Sequence, residues 1–166
     1  MKSPYLSSHR LADVLAAIQV MGSTVWDSRP IEHWKPHLGD VPQSASSWEE
    51  IFTQHPEFFG VREWQGRNTY FLRLRRAYER TIDPVSLKEI SDQQLEELKR
   101  QNKYDETKLA RRALTPSQVE ALMKTAIELQ VRAAALADRT RWWIPLAAAV
   151  LGFLGAIVGS LLKLGG

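Results

Sequence analysis

The sequence predicts an α+β chain: a winged-helix-like N-terminal domain, then a long helix that continues into a single C-terminal transmembrane helix. Three observations carry this expectation. Residues 142–162 read WWIPLAAAVLGFLGAIVGSLL, 21 residues without a charge, Asn, Gln or His. Residues 7–80 follow the order helix, short strand, short helix, capped helix, two-stranded hairpin, judged by their apolar spacing. No helix breaker lies between Pro116 and Pro145.

The first helix is expected after Ser7 or Ser8 as N-cap. Leu11, Val14, Leu15, Ile18 and Met21 then recur at helical spacing, and Gly22 ends it. His9 and Asp13 lie one turn apart and read as an exposed pair. Residues 24–26 read as extended, and 31–38 as a short helix interrupted at Pro36 and closed by Gly39. Ser47 with Glu50 three residues on forms a capping box, with Trp48, Ile51 and Phe52 on the buried side. Residues 60–64 are a strand, 65–68 a turn and 69–76 the return strand. In the return strand Tyr70, Leu72 and Leu74 alternate with Phe71, Arg73 and Arg75, the period of a half-buried strand. That order of elements over 7–80 is the winged-helix variant of the helix-turn-helix.

After Arg80 the pattern changes. Residues 81–115 read as a charged connector holding one short helix, capped by Ser91 and Gln94, with a thin stripe at Leu95 and Leu98. Thr115 is the next N-cap and Pro116 sits at the first helical position, which opens an amphipathic or coiled-coil helix over 116–141. Along it Val119, Leu122, Ala126, Leu129, Ala133 and Leu136 are spaced 3, 4, 3, 4, 3, a heptad seam. The same spacing serves an amphipathic helix resting on the preceding domain.

The apolar run at 142–162 would span roughly 31 Å as a helix, about the thickness of a bilayer core. Trp142 and Trp143 fall where an interfacial aromatic belt belongs, with Arg139 and Arg141 just outside and Lys163 able to snorkel at the far end. Arg132, Arg139 and Arg141 precede the span and Lys163 alone follows it, so the N-terminal domain is expected in the cytoplasm. Only four residues follow the span, the layout of a tail-anchored protein inserted after synthesis. Ala148, Gly152, Gly155 and Gly159 lie on closely related faces and include a GxxxG, which predicts close helix–helix approach and a homo-oligomer. Pro145 should bend the helix at the membrane surface.

Composition narrows the functional classes. Residues 1–80 carry ten Lys and Arg against nine Asp and Glu, and residues 81–141 carry eleven against ten, so the net charge of +3 is no basic domain. The chain has no cysteine, which excludes disulfides, thiol nucleophiles and cysteine-held metals. His33 and His37 have metal-like spacing, but Pro36 lies between them and no third ligand follows. No GxSxG, phosphate-cradling glycine loop or dinucleotide fingerprint is present. No catalytic residue, metal or cofactor is therefore expected. The helix starting at Ser47 opens with Glu49 and Glu50, which would repel a phosphate backbone. Arg62, Arg67, Arg73, Arg75 and Arg76 are the candidate contacts to phosphate or lipid headgroups, or else a solvated face. The reading that results is a non-enzymatic, membrane-tethered interaction module that self-associates and recruits a cytoplasmic protein partner. A membrane-tethered nucleic-acid binder is the alternative, and a small oligomeric pore or membrane-perturbing effector is a third.

Residues 10–22 (RLADVLAAIQVMG), 55–59 (HPEFF) and 141–159 (RWWIPLAAAVLGFLGAIVG) resemble a family of small bacterial membrane proteins. Members share the layout of a soluble domain followed by a membrane tail over essentially the whole length. Some carry the label N-carbamoyl-L-amino acid hydrolase. Hydrolases of that kind need a two-metal cluster of His, Asp and Glu, which this sequence does not assemble. The resemblance implies a bacterial inner-membrane setting and no chemistry.

Overall fold

The computed structural model describes residues 3–139 apart from positions 102, 104, 106 and 107. Among the described residues the chain has an α+β fold of five α-helices and two small antiparallel sheets. A 3-10 turn at Pro4–Leu6 leads into α1 (Arg10–Ser23), β1 (Ser28–Pro30), α2 (Ile31–Leu38) and α3 (Trp48–Gln54). The hairpin β2 (Phe59–Trp64) and β3 (Arg67–Leu72) follows, then a second 3-10 turn at Arg73–Ala77. The chain continues through β4 (Arg80–Ile82), α4 (Asp92–Arg100), β5 (Ala110–Arg111) and α5 (Pro116–Arg139). The larger sheet has the order β1-β3-β2, and β4 pairs with β5. No helix among the described residues is long and apolar enough to cross a membrane, and the span expected at 142–162 lies outside them.

In α1, Val14, Ala17, Ile18 and Met21 fill the core, the 3–4 spacing of one helix face. The start differs from expectation. The helix begins at Arg10, with His9 in the left-handed region (φ 60°) and no side-chain cap. Asp13 is buried rather than exposed: its carboxylate accepts from Gln43 N, Ser44 N and Ser44 Oγ, pinning the loop before α3. Gly22 does not end the helix, which runs on to Ser23. Its role is close approach, because a Cβ there would lie 2.9 Å from Val119 Cγ2 on α5. Helix α2 continues through Pro36 instead of being interrupted. Ser47 caps α3 by accepting from Glu50 N, but Glu50 turns its carboxylate to Ser46, so only half of the expected capping box forms.

The hairpin turn is tighter than expected. Gln65 and Gly66 both have positive φ (51° and 72°), the signature of a two-residue primed turn, and Arg67 already pairs with Trp64. The return strand stops at Leu72. The chain then coils into the 3-10 turn, with Arg73 N donating to Phe58 O, and Leu74 is left exposed. Arg80 pairs with Arg111 across β4–β5, and Leu114, Val119 and Ala126 belong to the same core cluster as Val14 and Trp34.

At the other end of the core, Tyr5 donates to Glu57 Oε1 (2.5 Å), and His55 Nδ1 lies 3.0 Å from the same oxygen. Burial opposes the Glu57 carboxylate, but the hydrogen bonds from His55 and Tyr5 together hold its pKa below the ordinary value. Burial, then the Glu57 hydrogen bond and charge, raise Tyr5 well above the usual tyrosine range. A depressed carboxylate pKa stabilises the fold above its unfolded value, and that stability is lost as pH falls through the folded value. Acid should therefore loosen the N-terminal turn from the end of α3. In Glu57→Gln the drop in melting temperature between neutral pH and the acid side of the carboxylate range should be smaller than in the wild type. An unchanged drop would show that Glu57 contributes nothing to the acid limb.

Candidate functional site

Of the five arginines singled out in the sequence, Arg75 is not a surface contact at all. It is fully buried, and its guanidinium donates to five backbone carbonyls: Met21, Thr24 and Trp26 from Nη1, and Val25 and Arg111 from Nη2. Burial lowers its pKa to about 10, with Asp27 opposing and Arg111 adding to the shift. It is still a cation at neutral pH. The strand's early end explains the error in the expectation, because the 3-10 turn swings Arg75 inward where a continued strand would have kept it on the outer face. Arg73 is exposed and donates from Nε to Phe59 O. Arg76 stacks over the Phe71 ring at 4.8 Å.

Arg62 and Arg67 meet at a cleft of about 580 Å³ that the sequence did not show. Its floor is the outer face of the larger sheet. The register pairs Arg62 with Thr69, Thr69 with Pro30, and Trp64 with Arg67. Directly opposed residues point to the same face, so β1, β3 and β2 together present Ser28, Pro30, Thr69, Arg67, Arg62 and Trp64. The other face carries Tyr70, Leu72 and Phe59 into the core. The wall is the β4–β5 unit, through Arg80, Lys108 and Ala110. Trp26 and Arg29 close the rim, with the Arg29 guanidinium 3.7 Å from the Trp26 ring centre.

Among the described residues, five basic side chains line this cleft (Arg29, Arg62, Arg67, Arg80 and Lys108) against one lining carboxylate, Asp27, and Lys108 is paired with Asp105 at 3.4 Å. Asp27 is already neutralised, by Arg111 at 2.6 Å and Arg80 at 3.7 Å. The crowding of positive charge shows in Arg76 beside it, whose pKa is lowered by burial and then by Arg111, Arg62 and Arg80. Trp26 and Trp64 are each about two-fifths exposed (39% and 41%). Arg62 Nε and Ser28 Oγ are buried atoms with no hydrogen-bond partner among the described residues. Arg62 also lies 5.2 Å from the Trp64 ring centre. Half-exposed tryptophans, each with an arginine over its ring, and a surplus of basic side chains make this a basic, aromatic-rimmed cleft.

The seam on α5 is largely occupied within the chain. Val119 and Ala126 are buried against α1, and Leu122, Leu129 and Ala133 are half-buried on the same core. Val119 and Ala126 therefore cannot serve as contacts to a second copy, which corrects that part of the expected oligomerisation face. Leu136 is 62% exposed and borders an apolar groove between α5 and the Pro4–Leu6 turn. Arg139 is the exposed last residue of α5. Arg141, Trp142, Trp143, Ala148, Gly152, Gly155, Gly159 and Lys163 lie outside the described residues. Among the described residues, His33 and His37 gain no further metal-ligating neighbours that would form a group of three. No protein-family model, curated protein or solved structure matches the chain.

Proposed function

We propose that the chain is a non-enzymatic, membrane-tethered interaction module. Its winged-helix-like domain is held at a bilayer by the span at 142–162 and takes a partner from the aqueous side through the basic, tryptophan-lined cleft. The order α1, β1, α2, α3, β2, β3 with sheet order β1-β3-β2 supports the winged-helix-like reading. Self-association through Gly152, Gly155 and Gly159 is part of the same proposal and rests on their spacing.

The observation that carries the proposal is the cleft's place on the chain. Leu109 and Ala110 line it, just before α5. Helix α5 then runs 24 residues, about 36 Å at 1.5 Å per residue, toward the apolar run. Its last turns lie beside the Pro4–Leu6 turn. The cleft therefore lies by the start of α5, the opposite end of the helix from the one that leads to the apolar run, which favours an aqueous partner over the headgroups of the host membrane. Helix α3 does not suit a duplex groove: it has only seven residues, and its first turn carries Glu49 and Glu50.

Deleting residues 142–166 tests the tether. The full chain should stay in the membrane pellet after carbonate washing. The truncated chain should appear in the supernatant with the far-ultraviolet spectrum of a folded α+β protein. A truncated chain that still pellets, or a full chain that washes off, would overturn the tethering.

A further inference from the structure

We infer that the cleft binds single-stranded nucleic acid, with bases stacked on Trp26 and Trp64 and phosphates held by Arg62, Arg67 and Lys108. This rests on the reading of the cleft as the recruiting surface and names the chemistry of what it recruits.

The argument begins with the sheet. The floor of the cleft is an antiparallel sheet flanked by half-exposed tryptophans, and bases released from a duplex offer flat π-faces to such rings. That floor carries an indole on β2, and a second indole stands at the opposite rim before β1. Each tryptophan has an arginine close to its ring, at 3.7 Å for Arg29 on Trp26 and at 5.2 Å for Arg62 on Trp64. Each guanidinium lies over one face of its ring, so a base stacks on the guanidinium or on the part of the ring that stays exposed, with the charge at hand. A strand supplies that pairing at every residue of its length.

Charge alone would suit an acidic peptide equally. The feature that separates them is the pair of half-exposed tryptophan rings. Carboxylate side chains need arginine forks but gain nothing from paired indole platforms. A duplex is disfavoured because a paired base hides the face that an indole would cover, and because α3 begins with carboxylates. Anionic lipid is disfavoured by the cleft's place at the end of α5 away from the apolar run. The unbiased total charge of residues 1–80 concealed this: Glu32, Glu49, Glu50 and Glu57 do not line the cleft, so its local balance differs from the domain's.

The test uses the full chain in nanodiscs of neutral phosphatidylcholine, with fluorescein-labelled decathymidylate read by anisotropy. Binding should weaken steeply with salt. Trp64→Ala should weaken it by about five- to a hundredfold with the salt slope unchanged, as expected for a lost stacking platform. Arg67→Ala should reduce the slope by about 0.7, the share of one phosphate on a single strand. Lys124→Ala, which removes the same charge from an exposed position on α5, should change neither. All these positions are at the surface, and circular dichroism checks that each variant keeps its fold. Three competitors complete the test. Decaglutamate, ATP and a ten-base-pair duplex should each displace the strand at least tenfold less well than unlabelled decathymidylate. Equal competition by decaglutamate overturns the nucleic-acid inference but leaves a recruiting cleft for an acidic protein. Equal competition by ATP or by the duplex overturns the single strand in favour of that ligand. Indifference to Trp64→Ala, or an equal loss in Lys124→Ala, reduces the binding to unspecific charge attraction and overturns the inference. If neither decathymidylate nor decaglutamate binds, the cleft does not recruit an anion, and the proposed recruiting surface fails with it.

Discussion

Replacing Arg75 by alanine should destabilise the domain by about 3–5 kcal/mol, the range for stripping partners from a buried, hydrogen-bonded network. For a domain of this size that is a fall in melting temperature of about 10 °C or more. The reason is the number of orphaned groups. One guanidinium serves the carbonyls of Met21, Thr24, Val25, Trp26 and Arg111. Those carbonyls belong to the end of α1, the loop into β1, and β5, so their loss loosens three segments together. Arg75→Lys should recover little, because one ammonium on a flexible stem cannot span five acceptors from two directions. The same loop carries Trp26, and Arg111 in turn holds Asp27 at 2.6 Å. The alanine variant should therefore also lose the shape of the cleft. Thermal unfolding followed by circular dichroism checks the first expectation. A melting temperature within about 2 °C of the wild type would mean that water replaces the guanidinium freely and that the network adds no stability.

Arg75 also marks the limit of what the sequence reveals. The element order was legible because it rests on local chemistry. Val14, Ile18 and Met21 repeat at helical spacing, Trp48, Ile51 and Phe52 mark one face of α3, and Ser91 with Gln94 makes a complete capping box in the structure. The hairpin was legible from Gly66 and the alternation around it. Arg75 was not, because an arginine in a period-2 run has the pattern of a solvent-facing position. Nothing local announces that the strand ends at Leu72. Nor does local pattern link Asp27 to Arg111, which are 84 residues apart. The same holds for Leu114 N, which donates to Gly22 O and docks the start of α5. Two arginines of the cleft were found as charged residues of a hairpin. Trp26, Arg29 and Lys108 were missed, since they reach the cleft from loops and strand ends whose position depends on those distant pairs. Asp13 and Gly22 were read by their residue types, as an exposed acid and a helix stop, where the fold uses one to pin a loop and the other to admit Val119.

A heptad spacing on α5 could not by itself say whether the seam faces this chain or another copy, and two substitutions on the same helix separate the cases. Ala126 is fully buried where α5 meets α1, so Ala126→Arg forces a long charged side chain into a packed interface. It should cost about 3 kcal/mol or more through overpacking and charge burial, and amides of 116–139 should lose their protection from hydrogen exchange. Leu136 is 62% exposed, so Leu136→Lys should leave the melting temperature within about 2 °C of the wild type. If the exposed end of the seam continues into a membrane contact, Leu136→Lys should nevertheless weaken self-association. Changing Gly155 and Gly159 to leucine should weaken it further by blocking backbone approach in the apolar run. Cross-linking across a series of protein-to-lipid ratios reads this directly. The wild type should shift from monomer to oligomer as the ratio rises, Leu136→Lys should shift later, and the glycine pair combined with Leu136→Lys should stay monomeric. A wild type that is monomeric at every ratio would assign the seam wholly to the α1–α5 interface and leave the chain a monomeric tethered binder. Ala126→Arg with full stability would show the reverse, that α5 stands free of the domain and that its apolar face is available to a second copy.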